Sequence, residues 1–378
     1  WMEDMIVEVL YTSMIVFVYL NCAASRGNNP INSPNGFIGI AVGLCYIAGG
    51  YASSEISGTV MNPAVAVGLQ IADTNDKLHS SWGIEYLPME ILGAFMAVSA
   101  YRIVRPKELD STMLYDPHDP SLQSPTSARV MAEFIGTFYI VFTKALNNIG
   151  KSKAEAWSVA AALAAMQYSL RGVSGGHFNP AVTVSAAVSS RRFCTVHNAV
   201  LYVGSQTLAG LAGSTMYGVV HHGGHIDIKP GRKYAHNAAA VILGEVLFTS
   251  LMCYSVLTTS AKQRALAKSS RSHDAAGLTI GMCLAVGGFA VGNISGAVLN
   301  PAMAFGFTGL NIIGGDFFQS TVGLYIVYEF VGALLASMMF CLTHAYFFRP
   351  DSPGLPEPNG NPAGASIMAK ALPKRAAC

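Results

Sequence analysis

Three copies of one short string stand out in the chain: Asn62-Pro63-Ala64, Asn179-Pro180-Ala181 and Asn300-Pro301-Ala302. Each follows a Ser-Gly pair, Ser57-Gly58, Ser174-Gly175 or Ser295-Gly296. An asparagine side-chain oxygen caps a helix N-terminus, and proline suits the first helical position, where its missing N–H is not needed. Such an asparagine still has amide N–H groups to offer a passing oxygen. The new helix adds unpaired backbone N–H groups and the positive end of its dipole. That chemistry holds polar neutral molecules and repels cations. A lone string of this kind is an ordinary cap, but three in one context mark an internal repeat.

A second set of chemistry-bearing residues keeps step with the first. Glu8, Glu133 and Glu245 are each followed four residues later by threonine, Thr12, Thr137 and Thr249. All three lie in apolar surroundings, where a carboxylate is costly unless paired. A buried acid of this kind serves as a proton relay or ion site, or else as a structural brace. The intervals sort the repeats. Glu8 to Asn62 is 54 residues and Glu245 to Asn300 is 55, whereas Glu133 to Asn179 is 46. Glu8 to Glu245, Asn62 to Asn300 and Glu90 to Glu329 are offset by 237, 238 and 239 residues. The first and third units are thus one type (b) and the middle unit another (a), in the order b–a–b.

The elements that must position these residues are long and apolar. Hydrophobic residues make up 52% and Asp, Glu, Lys and Arg only 12%, about half the charged share of a soluble domain. Nine stretches have membrane-spanning length: 5–22, 36–52, 83–104, 129–146, 155–171, 197–220, 237–258, 275–292 and 322–348. The expected fold is an all-α integral membrane protein of nine spans and three half-helices. With three spans per unit, successive units enter the bilayer in opposite orientations. The net charge of +2 gives no reason to expect a nucleic-acid partner. The seven cysteines show no metal or disulfide spacing, and no metal or cofactor is expected. His221, His222 and His225 form a loop cluster with two readings, a sensor or ordinary loop histidines.

Gly175-Gly176-His177-Phe178-Asn179-Pro180-Ala181-Val182-Thr183 resembles the first signature loop of the major intrinsic proteins, the aquaporins and aquaglyceroporins. Ala132-Glu133-Phe134-Ile135-Gly136-Thr137 resembles their first helix, and Gln206 and Glu329 fall at comparable polar positions. The resemblance implies a complete six-span module at 127–349 and the C-terminal half of an earlier module at 1–106. Between them lies a cytoplasmic linker, 107–126, and after them a Pro/Ala-rich tail, 350–378. On this reading the sequence is part of a tandem two-module protein. Asn179, Pro180, Ala181, Asn300, Pro301 and Ala302 are then the pore signature, and Asn62, Pro63, Ala64 and Val65 an orphan half-pore.

The resemblance also implies that Glu133 and Glu245 brace the signature loops, whose amides would be expensive to leave unpaired in a membrane. By the family's spacing, the selectivity filter falls on Val159, Gly288, Ala297 and Met303. The family usually has arginine at the last position. Methionine neither donates hydrogen bonds nor carries charge, so a wide, apolar filter is expected. His177 matches a pore-lining position and also offers its backbone. Arg171 departs from the family's small residue and has two readings: a cationic guard at the cytoplasmic mouth, or a side chain reaching to headgroups.

The expected function is a passive, non-enzymatic channel for water, glycerol, urea and ammonia in a multi-pass membrane setting, the plasma membrane and internal membranes being equally open. The family implies a homo-oligomer with a tetrameric or pseudo-tetrameric arrangement of modules in the bilayer. One alternative is a poorly conducting junction or scaffold protein of the same fold, because an apolar constriction can dewet and close. A coupled transporter also uses inverted repeats, but it needs an ion site beyond the two bracing acids.

Overall fold

The computed structural model describes residues 1–30, 34–72, 82–109, 124–149, 152–190, 193–222, 226, 228–265, 275–313 and 322–345. The 350–378 tail, most of the linker, Arg191, Arg192 and His225 lie outside the described residues. Among the described residues, twelve α-helices run in three groups of four: α1 (Met2–Tyr19), α2 (Ile38–Ser53), α3 (Pro63–Ala72) and α4 (Trp82–Val104), then α5 (Thr126–Ile149), α6 (Glu155–Ser174), α7 (Pro180–Ser189) and α8 (Val196–Val220), then α9 (Ala238–Ala265), α10 (Ala276–Ser295), α11 (Pro301–Ile313) and α12 (Val322–Thr343). A short π-helical turn, Leu20–Ala24, extends α1.

Among the described residues, five helices are both long and apolar enough to cross a membrane: α1 with its π turn, α4, α9, α10 and α12. The sequence reading expects nine spans. The shortfall has a physical source. α6 is buried along most of its length, so its surface meets protein and its composition of alanine, serine, glutamine and arginine need not match lipid. α2 is apolar, with 16 residues, and falls short on length alone.

Each group repeats one packing scheme. The first helix lies against the last, α1 on α4, α5 on α8 and α9 on α12. Two of these crossings are tight because a glycine faces a backbone carbonyl. A Cβ on Gly93 would sit 2.6 Å from Val9 O, and one on Gly332 would sit 2.6 Å from Val246 O. Small residues at such crossings let backbones approach where lipid supplies no hydrophobic drive.

The second and third groups interlock. α6 packs on α10, α7 on α12 and α11 on α8. The first group joins them sideways, with α2 against α6 and α5. This seam carries polar bonds: Tyr11 Oη to Thr143 Oγ1 at 3.1 Å, Ser158 Oγ to Ala48 O at 2.8 Å, and Asn28 Nδ2 to Ser169 O at 3.0 Å. The six described cysteines are all free.

Candidate pore site

The site begins with the backbone ahead of each asparagine. The glycine after each serine is left-handed, with φ of 78° at Gly58, 101° at Gly175 and 93° at Gly296. So is the residue just before each asparagine: Met61 at 51°, Phe178 at 51° and Leu299 at 53°. A non-glycine residue held there costs on the order of 1–3 kcal/mol and persists only where its surroundings over-determine it.

The over-determination comes from a buried carboxylate. Glu133 accepts from Ser174 Oγ (2.5 Å), His177 N (3.0 Å) and Phe178 N (2.6 Å). Glu245 accepts from Ser295 Oγ (2.5 Å), Val298 N (3.2 Å) and Leu299 N (2.9 Å). Glu8, which sequence reasoning counted in the repeat but did not list as a brace, does the same for Ser57 Oγ (2.6 Å), Val60 N (3.0 Å) and Met61 N (2.6 Å). Each serine of the repeated Ser-Gly pair is therefore a ligand of the carboxylate. Hydrogen bonds to a charged group are worth about 1.5–3 kcal/mol each, enough to hold the left-handed residue.

The last helix of each group completes the support. Tyr86, Tyr202 and Tyr325 donate to the serine carbonyls of Ser57, Ser174 and Ser295 at 3.1, 2.9 and 2.8 Å. Gln206 Nε2 donates to Glu133 at 2.8 Å, and Glu329 accepts from Asn300 N at 2.8 Å. Sequence reasoning missed the tyrosines. The signal was present: each stands four residues before Glu90, Gln206 or Glu329.

The asparagines cap as their residue type predicts. Ala64 N, Ala181 N and Ala302 N donate to the Oδ1 of Asn62, Asn179 and Asn300 at 2.9, 2.8 and 3.0 Å. The tips of α7 and α11 then meet reciprocally. Asn179 Nδ2 donates to Leu299 O at 2.9 Å, and Asn300 Nδ2 donates to Phe178 O at 3.0 Å. Each amide keeps a second N–H. Two helix N-termini face one another here, a concentration of positive potential unfavourable to cations.

A cavity opens at this junction. Its wall includes Ile140, Leu163, His177, Asn179, Asn300 and Met303. It is mostly apolar and leaves room for about one water molecule. His177 is among the lining residues; its backbone N–H goes to the brace, and its ring Nδ1 lies 3.2 Å from Thr183 Oγ1.

Of the four filter positions, Met303 lines the cavity. Val159 and Ala297 are buried, and Gly288 is half-buried against Ala156. Ala297 is also left-handed, with φ of 46°. The headgroup reading of Arg171 is overturned. The side chain is buried, and its guanidinium donates to Thr259 Oγ1 at 3.1 Å and Ser260 Oγ at 3.0 Å on α9. Those hydroxyls satisfy it within the bundle, so it has no need of lipid phosphate. Of the histidine cluster, His222 is exposed and pairs with Glu3 at 2.5 Å.

Comparison with known proteins finds one family. The family model described as major intrinsic protein matches the chain twice, over residues 1–154 and 121–340. Aquaporin A of Dictyostelium discoideum is 32% identical over 280 residues, 66% of this chain and 95% of that protein. An aquaglyceroporin of Toxoplasma gondii is 28% identical over 223 residues, covering 58% of this chain and 80% of its own. The X-ray structure of the aquaglyceroporin from Plasmodium falciparum covers 58% of this chain and 96% of its own, at 20% identity and a TM-score of 0.48.

Proposed function

We propose that this chain, which belongs to the major intrinsic protein family, is a passive channel for glycerol- and urea-sized neutral solutes, with ammonia and water. As a family member it is a multi-pass membrane channel for water and small solutes, not an enzyme. The observation that carries the finer reading is the cavity at the meeting tips, where Met303 stands beside Asn179 and Asn300. The two asparagine amides receive a solute oxygen, and the remaining wall receives its carbon skeleton. Met303 has three rotatable side-chain bonds, and the cavity widens when it changes rotamer. Val159, Gly288 and Ala297 complete the apolar filter.

The module boundaries follow from the same reading: a complete module at 127–349, a half-module at 1–106, a linker at 107–126 and a tail at 350–378. In that frame the b–a–b order supplies nine spans and three half-helices. Modules assemble as a tetramer or its tandem equivalent. The narrow, apolar cavity also favours a second reading, a membrane junction protein that conducts little, since such a constriction can dewet.

Stopped-flow osmotic shrinkage of reconstituted vesicles separates the two. Glycerol and urea permeability well above that of empty liposomes is expected, and Met303→Arg should narrow the solute range. Flux equal to empty liposomes before and after the substitution would leave the junction reading standing.

A further inference from the structure

A lysine reaches the backbone beside filter position Ala297. Lys144 lies on α5, one helical turn beyond Ile140, which lines the cavity. Its ammonium donates to Gly296 O at 2.9 Å, the carbonyl joined to filter residue Ala297, and it also pairs with Glu155. Glu155 opens α6 on the face that continues through Val159 to Leu163, another cavity residue. The residue after it, Ala156, is the contact of Gly288: a Cβ on that glycine would lie 2.6 Å from Ala156 Cβ. Lys144, Glu155, Val159, Gly288 and Ala297 therefore gather at one level, a turn or two from the asparagine tips, at the mouth expected to face outward. The lysine side chain is 12% exposed and the glutamate 31%.

We propose that Lys144 is the cation barrier and polar hydrogen-bond donor of this filter, supplied from α5 in place of the arginine that Met303 replaces. The inference rests on the channel reading above. An ammonium has three donors; one goes to Gly296 O and one to Glu155, which leaves one to face a solute oxygen. The pairing with Glu155 fixes its position and sets the charge balance of the mouth. With the lysine present, the charge of Glu155 is balanced and a donor is held beside Gly296 O. Without it, Glu155 loses the cation paired with it, and an uncompensated carboxylate is the sign that concentrates cations.

The test uses the full chain in vesicles, with glycerol flux and sodium or methylammonium flux measured on the same preparation. The intact channel should pass glycerol and exclude both cations. Lys144→Gln should raise the ratio of cation flux to glycerol flux about tenfold or more, the scale of one uncompensated charge within several ångströms of an ion. Lys144→Arg should remain cation-tight, and Lys144→Gln combined with Glu155→Gln should fall back towards the intact level. If the intact chain passes glycerol and Lys144→Gln stays cation-tight, the assignment of Lys144 fails while the channel reading survives. An intact chain that passes no neutral solute removes both. Loss of the folded protein in Lys144→Gln but not in Lys144→Arg would make the lysine a strut and overturn the proposal.

Discussion

The loop of the first group and the loop of the third are built alike yet end differently. Both hold a left-handed residue ahead of the asparagine, a carboxylate on two loop N–H groups and on the serine hydroxyl, and a tyrosine on the serine carbonyl. In the third group the asparagine amide then crosses to Phe178 O and its backbone N–H reaches Glu329. In the first group Asn62 Nδ2 has no acceptor among the described residues. Glu90, the counterpart of Glu329, faces the Asn62 amide without reaching hydrogen-bond geometry. Three residues past the asparagine, Met303 is 2% exposed and Val65 is 43% exposed. The brace forms within a single unit, whereas the crossed tips and the cavity need two.

The largest test of that division removes a brace. Glu245→Leu strands two loop N–H groups and a serine hydroxyl in a buried site, at about 1–3 kcal/mol each. Loss of most folded protein and of all solute flux is expected, read by size-exclusion profile and vesicle assay together. Glu8→Leu removes the same three bonds from the first group. It should lower thermal stability while each folded molecule keeps its glycerol flux. Equal flux loss per folded molecule in both variants would show that the first group helps to form the cavity.

How much of this was legible beforehand depends on whether the partner lay nearby in sequence. Asn179 as a cap with Pro180 behind it follows from residue types alone, and the structure has that cap. The repeat of Glu8, Glu133 and Glu245 was legible from their threonine neighbours and intervals, while the bracing role of Glu133 and Glu245 came from the resemblance to the family. The headgroup reading of Arg171 failed because its partners, Thr259 and Ser260, lie 88 and 89 residues away on another helix. Lys144 was passed over for the same reason: Gly296 is 152 residues distant, and no local pattern links them. The tyrosines were missed although their spacing repeats, since a tyrosine in an apolar span reads as packing until its hydroxyl has a partner.

A smaller effect is expected at the asparagines. Asn300→Ala loses the cap, worth about 0.5–2 kcal/mol, and the bond to Phe178 O, worth about 1 kcal/mol. If that free energy is felt at the cavity, glycerol flux should fall about tenfold. Asn62→Ala loses only the cap, and flux should stay within about twofold of the parent, a change of under 0.5 kcal/mol. Stopped-flow rates normalised to inserted protein decide it. A tenfold loss in Asn62→Ala would erase the distinction between the crossed and uncrossed loops.

The finest comparison uses the tyrosines, because all three make the same bond in loops of different fate. Phenylalanine at 86, 202 or 325 deletes one hydroxyl donor and leaves a serine carbonyl with one fewer partner, at about 1 kcal/mol each. Thermal unfolding in detergent should therefore register a similar small loss in all three variants. Flux should not. Ser174 and Ser295 belong to the loops whose Phe178 and Leu299 carbonyls receive the crossed asparagines, so loosening them shifts the tips that line the cavity. Ser57 belongs to a loop with no crossing partner among the described residues, and loosening it moves nothing that solute touches. Tyr202→Phe and Tyr325→Phe should each slow glycerol by about two- to fivefold, the change that up to 1 kcal/mol allows, while Tyr86→Phe leaves the rate unchanged. Equal slowing in all three would mean that the seam of α2 against α6 carries strain from the uncrossed loop to the cavity.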